Sequence, residues 1–171
     1  MSRYPSLPDD LKQSLRKIEP SHHRLISYYP CLVTMRSGRT VDRVYVQEEL
    51  SYISVWGIYP EEDSGKSWIA IQEVASVSES PSRLPAALAT ELYQLGETGM
   101  GGHKFTVKFS DGTEEFFIGG NAVDFIEYPA GKSQKDVVDV HNGGRGTPRK
   151  RPAYFWCLYS RLWADLRINA K

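Results

Sequence analysis

The clearest candidate for chemistry in this sequence is a basic segment close to the C-terminus. It lies among glycine and proline residues, and aromatic residues follow it directly. Because cations contact phosphates and aromatic rings stack on bases, the pattern predicts a nucleic-acid-binding surface. A solvated loop followed by core aromatics is the alternative, and the formal net charge of zero gives no long-range attraction to nucleic acid. The residues concerned are Arg145, Arg149, Lys150, Arg151, Tyr154, Phe155 and Trp156.

A second candidate is a glycine–asparagine turn between two apolar runs. Gly119, Gly120 and Asn121 lie at the centre of the segment Phe116–Ile126. The segment resembles the second signature of Sm-like RNA-binding proteins, and the resemblance implies an RNA-binding role for these three residues. Two features depart from that family: Gly119 stands in place of its arginine, and a first signature at Phe105–Gly112 leaves no room for the intervening strands. An ordinary Gly-Asn hairpin is the alternative.

The other chemistry-bearing residues form no recognisable site in the sequence. Cys31 and Cys157 are the only cysteines, too few for a disulfide framework or a cysteine-rich zinc site. Asp139 and His141 would share one face of a strand and could hold a metal ion with Asp136 or another carboxylate, but no HxxxH or His-x-His pattern supports such a site. We therefore predict no catalytic residue, no metal site and no cofactor. An enzyme without a motif remains an alternative, in which His103 or His141 would meet a cysteine or a carboxylate in a pocket.

Aromatic residues are abundant, with ten tyrosines and four tryptophans, and many fall in the first half of the chain. Several of them exposed on one face would form a protein-binding surface. An aromatic core with hydroxyl groups at its rim is the alternative, and an acidic edge at 48–63 is a second candidate surface. The predicted protein-binding residues are Tyr45, Tyr52, Trp56 and Tyr59.

Composition limits the class of protein. The chain has 171 residues, of which 40% are hydrophobic and 25% are charged, as in folded globular domains. It contains no apolar run of about eighteen residues and no signal-peptide core, so we expect a cytoplasmic protein without membrane contact. We expect a non-catalytic intracellular protein-binding module with a protein partner. A small inhibitor or immunity-type protein fits the size and the lack of motifs, and RNA binding is the alternative.

The elements that must position these residues give an α+β pattern. In the first half, apolar spacing predicts an amphipathic helix at 7–18, and a hairpin turns at Gly38. Strands are predicted at Tyr52–Trp56, Trp68–Ile71 and Val74–Val77. This β unit is compatible with a strongly bent sheet or an SH3-like barrel.

The second half repeats the order of helix and strands. Its hairpin at Gly112 resembles the one at Gly38, which hints at a duplication. We expect one compact domain at 1–171, and a division into 1–80 and 81–171 is the alternative. Residues 154–159 fit a strand or a helix, with a helix favoured. The predicted elements are a helix over Leu84–Leu95, strands at 105–109, 115–118, 122–128 and 137–140, and a closing helix at about 153–168.

Overall fold

The computed structural model describes residues 4–99 and 102–161. Within these residues the chain forms three α-helices and ten strands, and no helix is long and apolar enough to cross a membrane. The helices are α1 (Asp9–Leu15), α2 (Glu49–Trp56) and α3 (Ala86–Leu95). The strands are β1 (Ser21–His23), β2 (Ile26–Tyr28), β3 (Pro30–Met35), β4 (Thr40–Glu48), β5 (Val74–Glu79), β6 (His103–Phe109), β7 (Glu114–Gly119), β8 (Val137–Asn142), β9 (Arg149–Lys150) and β10 (Phe155–Tyr159).

Eight of these strands form two four-stranded sheets with the same topology. In the first sheet, β3 and β4 form an antiparallel hairpin, β5 pairs antiparallel with β3, and β10 runs parallel to β4. In the second sheet, β6 and β7 form the hairpin, β8 pairs with β6, and β9 runs parallel to β7. The α+β class is confirmed. Neither sheet closes on itself, so the barrel is not formed and the SH3-like arrangement is not confirmed.

The two four-stranded units, each with its preceding helix, match one another in individual backbone hydrogen bonds as well as in strand order. Gly38 and Gly112 occupy the same place in the two hairpin turns, with φ of 86° and 85°. A short 3₁₀ helix precedes the third strand of each sheet, α1 packs on β5, and α3 packs on β8. The structure therefore holds two copies of one helix–hairpin–strand arrangement. The matching bonds run from the N–H of Met35 to Arg39 O and of Phe109 to Thr113 O, and from the N–H of Arg36 to Glu73 O and of Ser110 to Asp136 O.

The strand predicted at Tyr52–Trp56 is wrong, because these residues belong to α2. The carboxylate of Glu48 accepts hydrogen bonds from the N–H groups of Leu50 and Ser51, which caps the start of the helix. Gly57, with φ of 65°, ends it in the left-handed conformation. The capping interactions at both ends of α2 therefore favour the helix, although its aromatic and β-branched residues have a high β propensity.

Two other predicted strands are also wrong. The segment Trp68–Ile71 makes one isolated bridge, to Trp156, and then enters a 3₁₀ helix. Residues 122–128 form no strand, and Phe125 makes an isolated bridge to Arg83. Each segment makes a few backbone hydrogen bonds, such as those from the N–H of Ile69 to Trp156 O and from the N–H of Ile126 to Ser82 O, but neither continues into a ladder.

The helix predicted at about 153–168 is wrong in its described part, since Phe155–Tyr159 is strand β10. The three central residues of β10 are all buried, so no polar face alternates with an apolar one. Such strands have no period that distinguishes them from buried helices. Residues 162–168 lie outside the described residues. The helices predicted at 7–18 and 84–95 are confirmed as α1 and α3.

Candidate functional site

A cleft of about 610 Å³ lies between the β1–β2 hairpin and the C-terminal end of α3. Three of the four histidines of the chain line it, two from β1 of the two-stranded sheet and one from β6 of the second four-stranded sheet. The sequence does not predict the β1–β2 hairpin, and it therefore does not predict the cleft beside this hairpin either. The polar groups that define the cleft are His22, His23, Arg24, Glu97, His103 and Asn121.

His23 is positioned by an aromatic stack. Its ring lies on Tyr93 of α3, with the ring centres 5.0 Å apart and the planes 10° from parallel. Burial lowers the pKa of His23, and the neighbouring Arg24 and His103 act in the same direction. The ring is therefore uncharged at neutral pH.

His103 begins β6 and is only 3% exposed. Its Nδ1 lies 3.1 Å from the carbonyl oxygen of Gly120, and a carbonyl can only accept a hydrogen bond, so Nδ1 carries the proton. In the neutral ring, Nε2 is then an acceptor. This nitrogen is buried and has no hydrogen-bond partner among residues 4–99 and 102–161.

The predicted protein-binding residues divide between core and surface. Tyr45 and Tyr52 are 0% and 1% exposed, so the aromatic-core interpretation is correct for them and they are not available to a partner. Trp56 is half-buried, and the ammonium of Lys66 lies 3.9 Å from its ring centre. Tyr59 is 59% exposed and lies on the surface.

The acidic edge at 48–63 is only partly available. Glu48 caps α2, and the carboxylate of Asp63 accepts a hydrogen bond from the Tyr52 hydroxyl at 2.7 Å. Glu61 and Glu62 are exposed in the 3₁₀ turn after α2. The exposed carboxylates of the acidic edge are therefore the two that follow Tyr59 in the chain.

A second hollow, of about 200 Å³, separates the tip of the β1–β2 hairpin from the start of α2. Leu25 at the tip is 101% exposed, and Leu50 in the first turn of α2 is 66% exposed. Gln47 lines the hollow and is 3% exposed, and its Oε1 has no partner within the described part of the chain. Isolated leucines in polar surroundings carry no periodic signal, so the sequence does not reveal this surface.

The cations of the basic segment are partly used within the molecule. Arg149 forms an ion pair with Glu115 at 3.0 Å. Arg151 donates to the Tyr154 hydroxyl at 3.0 Å, and its guanidinium lies 4.9 Å from that ring centre. Arg145 and Lys150 are exposed.

The glycine–asparagine segment is placed beside these cations. Gly119 ends β7, and a Cβ on Gly120 would overlap Nη1 of Arg151, so the guanidinium packs against the glycine backbone. Asn121 lines the histidine cleft. The second strand of the Sm-like signature is absent, since 122–128 is irregular, and the strand–turn–strand form of that signature is not present.

The structure forms no pair of a cysteine with a histidine in the cleft. Cys31 and Cys157 are buried in the core of the first sheet, and burial raises the pKa of the Cys157 thiol to about 12. His141 is exposed on β8, while His103 shares the cleft with the carboxylate of Glu97. Among the residues with described positions, no three side chains of His, Cys, Asp or Glu are grouped to hold a metal ion.

The comparisons with known proteins add no relative. No family model matches the chain, and neither the curated proteins nor the solved structures give a match. Functional inference therefore depends on the surfaces described above.

Proposed function

We propose that the protein is a non-catalytic protein-binding module of the cytoplasm whose interface is built around α2. The observation that carries this proposal is the location of its exposed large hydrophobic side chains. Of the six found in the described residues, four lie in α2, in the hairpin beside it or in the segment after it. A single exposed apolar residue is ordinary, whereas a local concentration is typical of an interface. The four are Leu25, Leu50, Tyr59 and Trp68.

These side chains follow the helix from one end to the other. Leu25 faces the first turn of α2 across the hollow that Ser51 also lines. Tyr59 follows the C-terminal end of α2, and the ring of Trp68 lies 5.4 Å from that of Tyr52, a buried residue in the middle of the helix. Aliphatic groups beside the first turn, and aromatic groups beside the middle and after the C-terminal end, offer a partner separate anchoring points along one helix.

The polar groups of this surface indicate the chemistry of the partner. The unpartnered Oε1 of Gln47 lines the hollow beneath Leu25, and a donor from a partner would satisfy it. Glu61 and Glu62 are exposed on the aromatic side. The surface fits a partner protein that presents apolar side chains flanked by hydrogen-bond donors and cations. An inhibitor or immunity-type protein would bind its target through one such face.

The test is a comparison of three immobilised proteins in nuclease-treated lysate from the source cells, read by quantitative mass spectrometry. The first is the wild type, the second carries Leu25→Asp and Leu50→Asp, and the third carries Val138→Asp. Val138 is 52% exposed on β8 in the second sheet, which makes it a matched control. We expect a protein that the wild type and the control retain and that the double variant loses. All three should melt alike, because exposed substitutions change stability by about 0.5 kcal/mol or less.

Equal retention by all three proteins would refute the α2 interface. Partners that disappear after nuclease treatment would instead favour the RNA alternative. In that case Arg145→Ala and Lys150→Ala, which remove two exposed cations that make none of the ion-pair or aromatic contacts described above, should reduce retention at low salt most strongly.

A further inference from the structure

We propose that the histidine cleft binds a small organic cation that carries an ammonium group. The inference rests on the hydrogen-bonding capacity and the charge of the cleft walls, and it is independent of the protein-binding surface on α2. The cleft lies on the hairpin side of α3, and Val55 is the residue of α2 that reaches it.

The first argument is an acceptor with no donor. Because Nδ1 of His103 donates to Gly120 O, its Nε2 offers a lone pair in a wall that is shielded from bulk water. A buried acceptor left unpaired destabilises the folded state, and the large majority of buried polar atoms have a partner. A ligand with N–H groups supplies the missing donor, and an ammonium group supplies up to three.

The second argument is the charge state of the other histidine. His23 is uncharged at neutral pH, so it does not provide a cation for an anionic ligand. Its Nδ1 is also buried without a partner in the described chain. Of the described residues that line the cleft, Arg24 is the one permanent cation, and it is exposed at the hairpin tip.

The third argument is the orientation of α3. The cleft wall includes Gln94 and Gly96, which lie at the C-terminal end of this helix. Helix carbonyl groups give this end a partial negative charge, and the last turn of α3 contains no basic residue to offset it. The carboxylate of Glu97 follows directly and also lines the cleft. Glu97 is exposed like Arg24, so these two formal charges offset one another at the rim, and the buried ring nitrogens and the helix C-terminus are the groups that favour a cationic ligand.

The test is an NMR titration of the ¹⁵N-labelled full-length protein with ethylammonium chloride, with sodium chloride at equal ionic strength as the blank. Inorganic phosphate is titrated in parallel as the anionic probe. We expect saturable shifts for ethylammonium at His23, Gly96 and Asn121, and none for phosphate.

Two variants and one control examine the residues that carry the argument. His103→Phe keeps a ring in the wall but removes the acceptor, and we expect binding about tenfold weaker. Arg24→Asn removes the like charge at the rim, and we expect binding about twofold tighter. Asn tolerates the positive φ of 56° at this position, so this variant should fold even if the first does not. His141→Phe, on the exposed face of β8, should leave the affinity unchanged.

Three results would overturn the proposal. The first is an ethylammonium titration without saturation. The second is a phosphate titration that shifts the same resonances and that weakens in the Arg24→Asn variant, which would identify an anion site. The third is equal affinity in the His103→Phe and His141→Phe variants, which would show that the unpartnered nitrogen is not part of the binding site.

Discussion

Tyr45 and Tyr93 donate hydrogen bonds to the same oxygen, Oδ2 of Asp124, at 3.0 and 2.6 Å. Tyr45 lies on β4 of the first unit, and Tyr93 lies on α3 of the second. The Ser21 hydroxyl donates to Oδ1, the other carboxylate oxygen. All four side chains are buried, so one carboxylate links the two copies of the repeated arrangement through three hydroxyl donors. Buried charge is tolerated only where such donors surround it.

Asp124→Asn should lower the free energy of unfolding by about 3 kcal/mol. The amide keeps one acceptor oxygen. Its NH₂ group, however, replaces an oxygen that accepts a hydroxyl hydrogen bond in the wild type, so that hydrogen bond is lost. Urea denaturation measures the change. The control is Asp10→Asn in the exposed first turn of α1, where we expect a loss of about 0.5 kcal/mol or less. A loss at Asp124 no larger than that of the control would contradict a structural role for the network.

The same carboxylate should make stability depend on pH. Burial raises the pKa of Asp124, and the hydroxyl donors and Arg83 oppose this only in part. Between the unfolded pKa of about 4 and the raised folded value, the folded protein binds more protons than the unfolded one. Its contribution is therefore complete below about pH 4 and is lost as the pH rises through the folded pKa. The unfolding free energy of wild type minus that of Asp124→Asn, measured by urea at a series of pH values, should fall over this window, and a constant or rising difference would refute the argument.

Two of the predicted interface tyrosines should behave oppositely when truncated. Tyr45 lies 4.7 Å from both Trp156 and Phe125 between ring centres, so Tyr45→Ala should destabilise the protein by about 4 kcal/mol. Tyr59→Ala removes an exposed ring and should change stability by about 0.5 kcal/mol or less. Chemical denaturation of both variants makes the comparison. Equal losses would mean that Tyr59 is not a surface residue.

The two hairpin turns should respond alike to one substitution. A Cβ added to Gly38 or Gly112 meets no atom within 4 Å, so only the left-handed backbone opposes it. We expect Gly38→Ala and Gly112→Ala to lower the unfolding free energy by about 1 kcal/mol each. The measurement is the urea midpoint of each variant at an unchanged slope. A difference above about 1 kcal/mol between them would show that the turns are not equivalent.

Local signals in the sequence are sufficient for the hairpins at Gly38 and Gly112 and for two helices. Gly38 and Gly112 supply a backbone conformation that few other residues adopt. β-branched residues flank the first turn, and alternating side chains precede the second. The apolar spacing of α1 and α3 follows the helical period, which directs one face to the core. These features depend on residues a few positions apart, so they can be predicted without a structure.

The tertiary structure alone decides the strand at β10, the helix at α2 and the position of every candidate surface. The centre of Phe155–Tyr159 is buried, and this strand pairs with β4. Most of the chain lies between the two strands in sequence, so no local hydrophobic period predicts that they pair. His23 and His103 likewise meet only because β1 and β6 pack on the same helix residue, Tyr93. The residue types in the sequence determine which groups can accept protons, stack or stay exposed. Which of them share a cleft depends on long-range burial, since the free energy of packing is a property of the whole chain rather than of a segment.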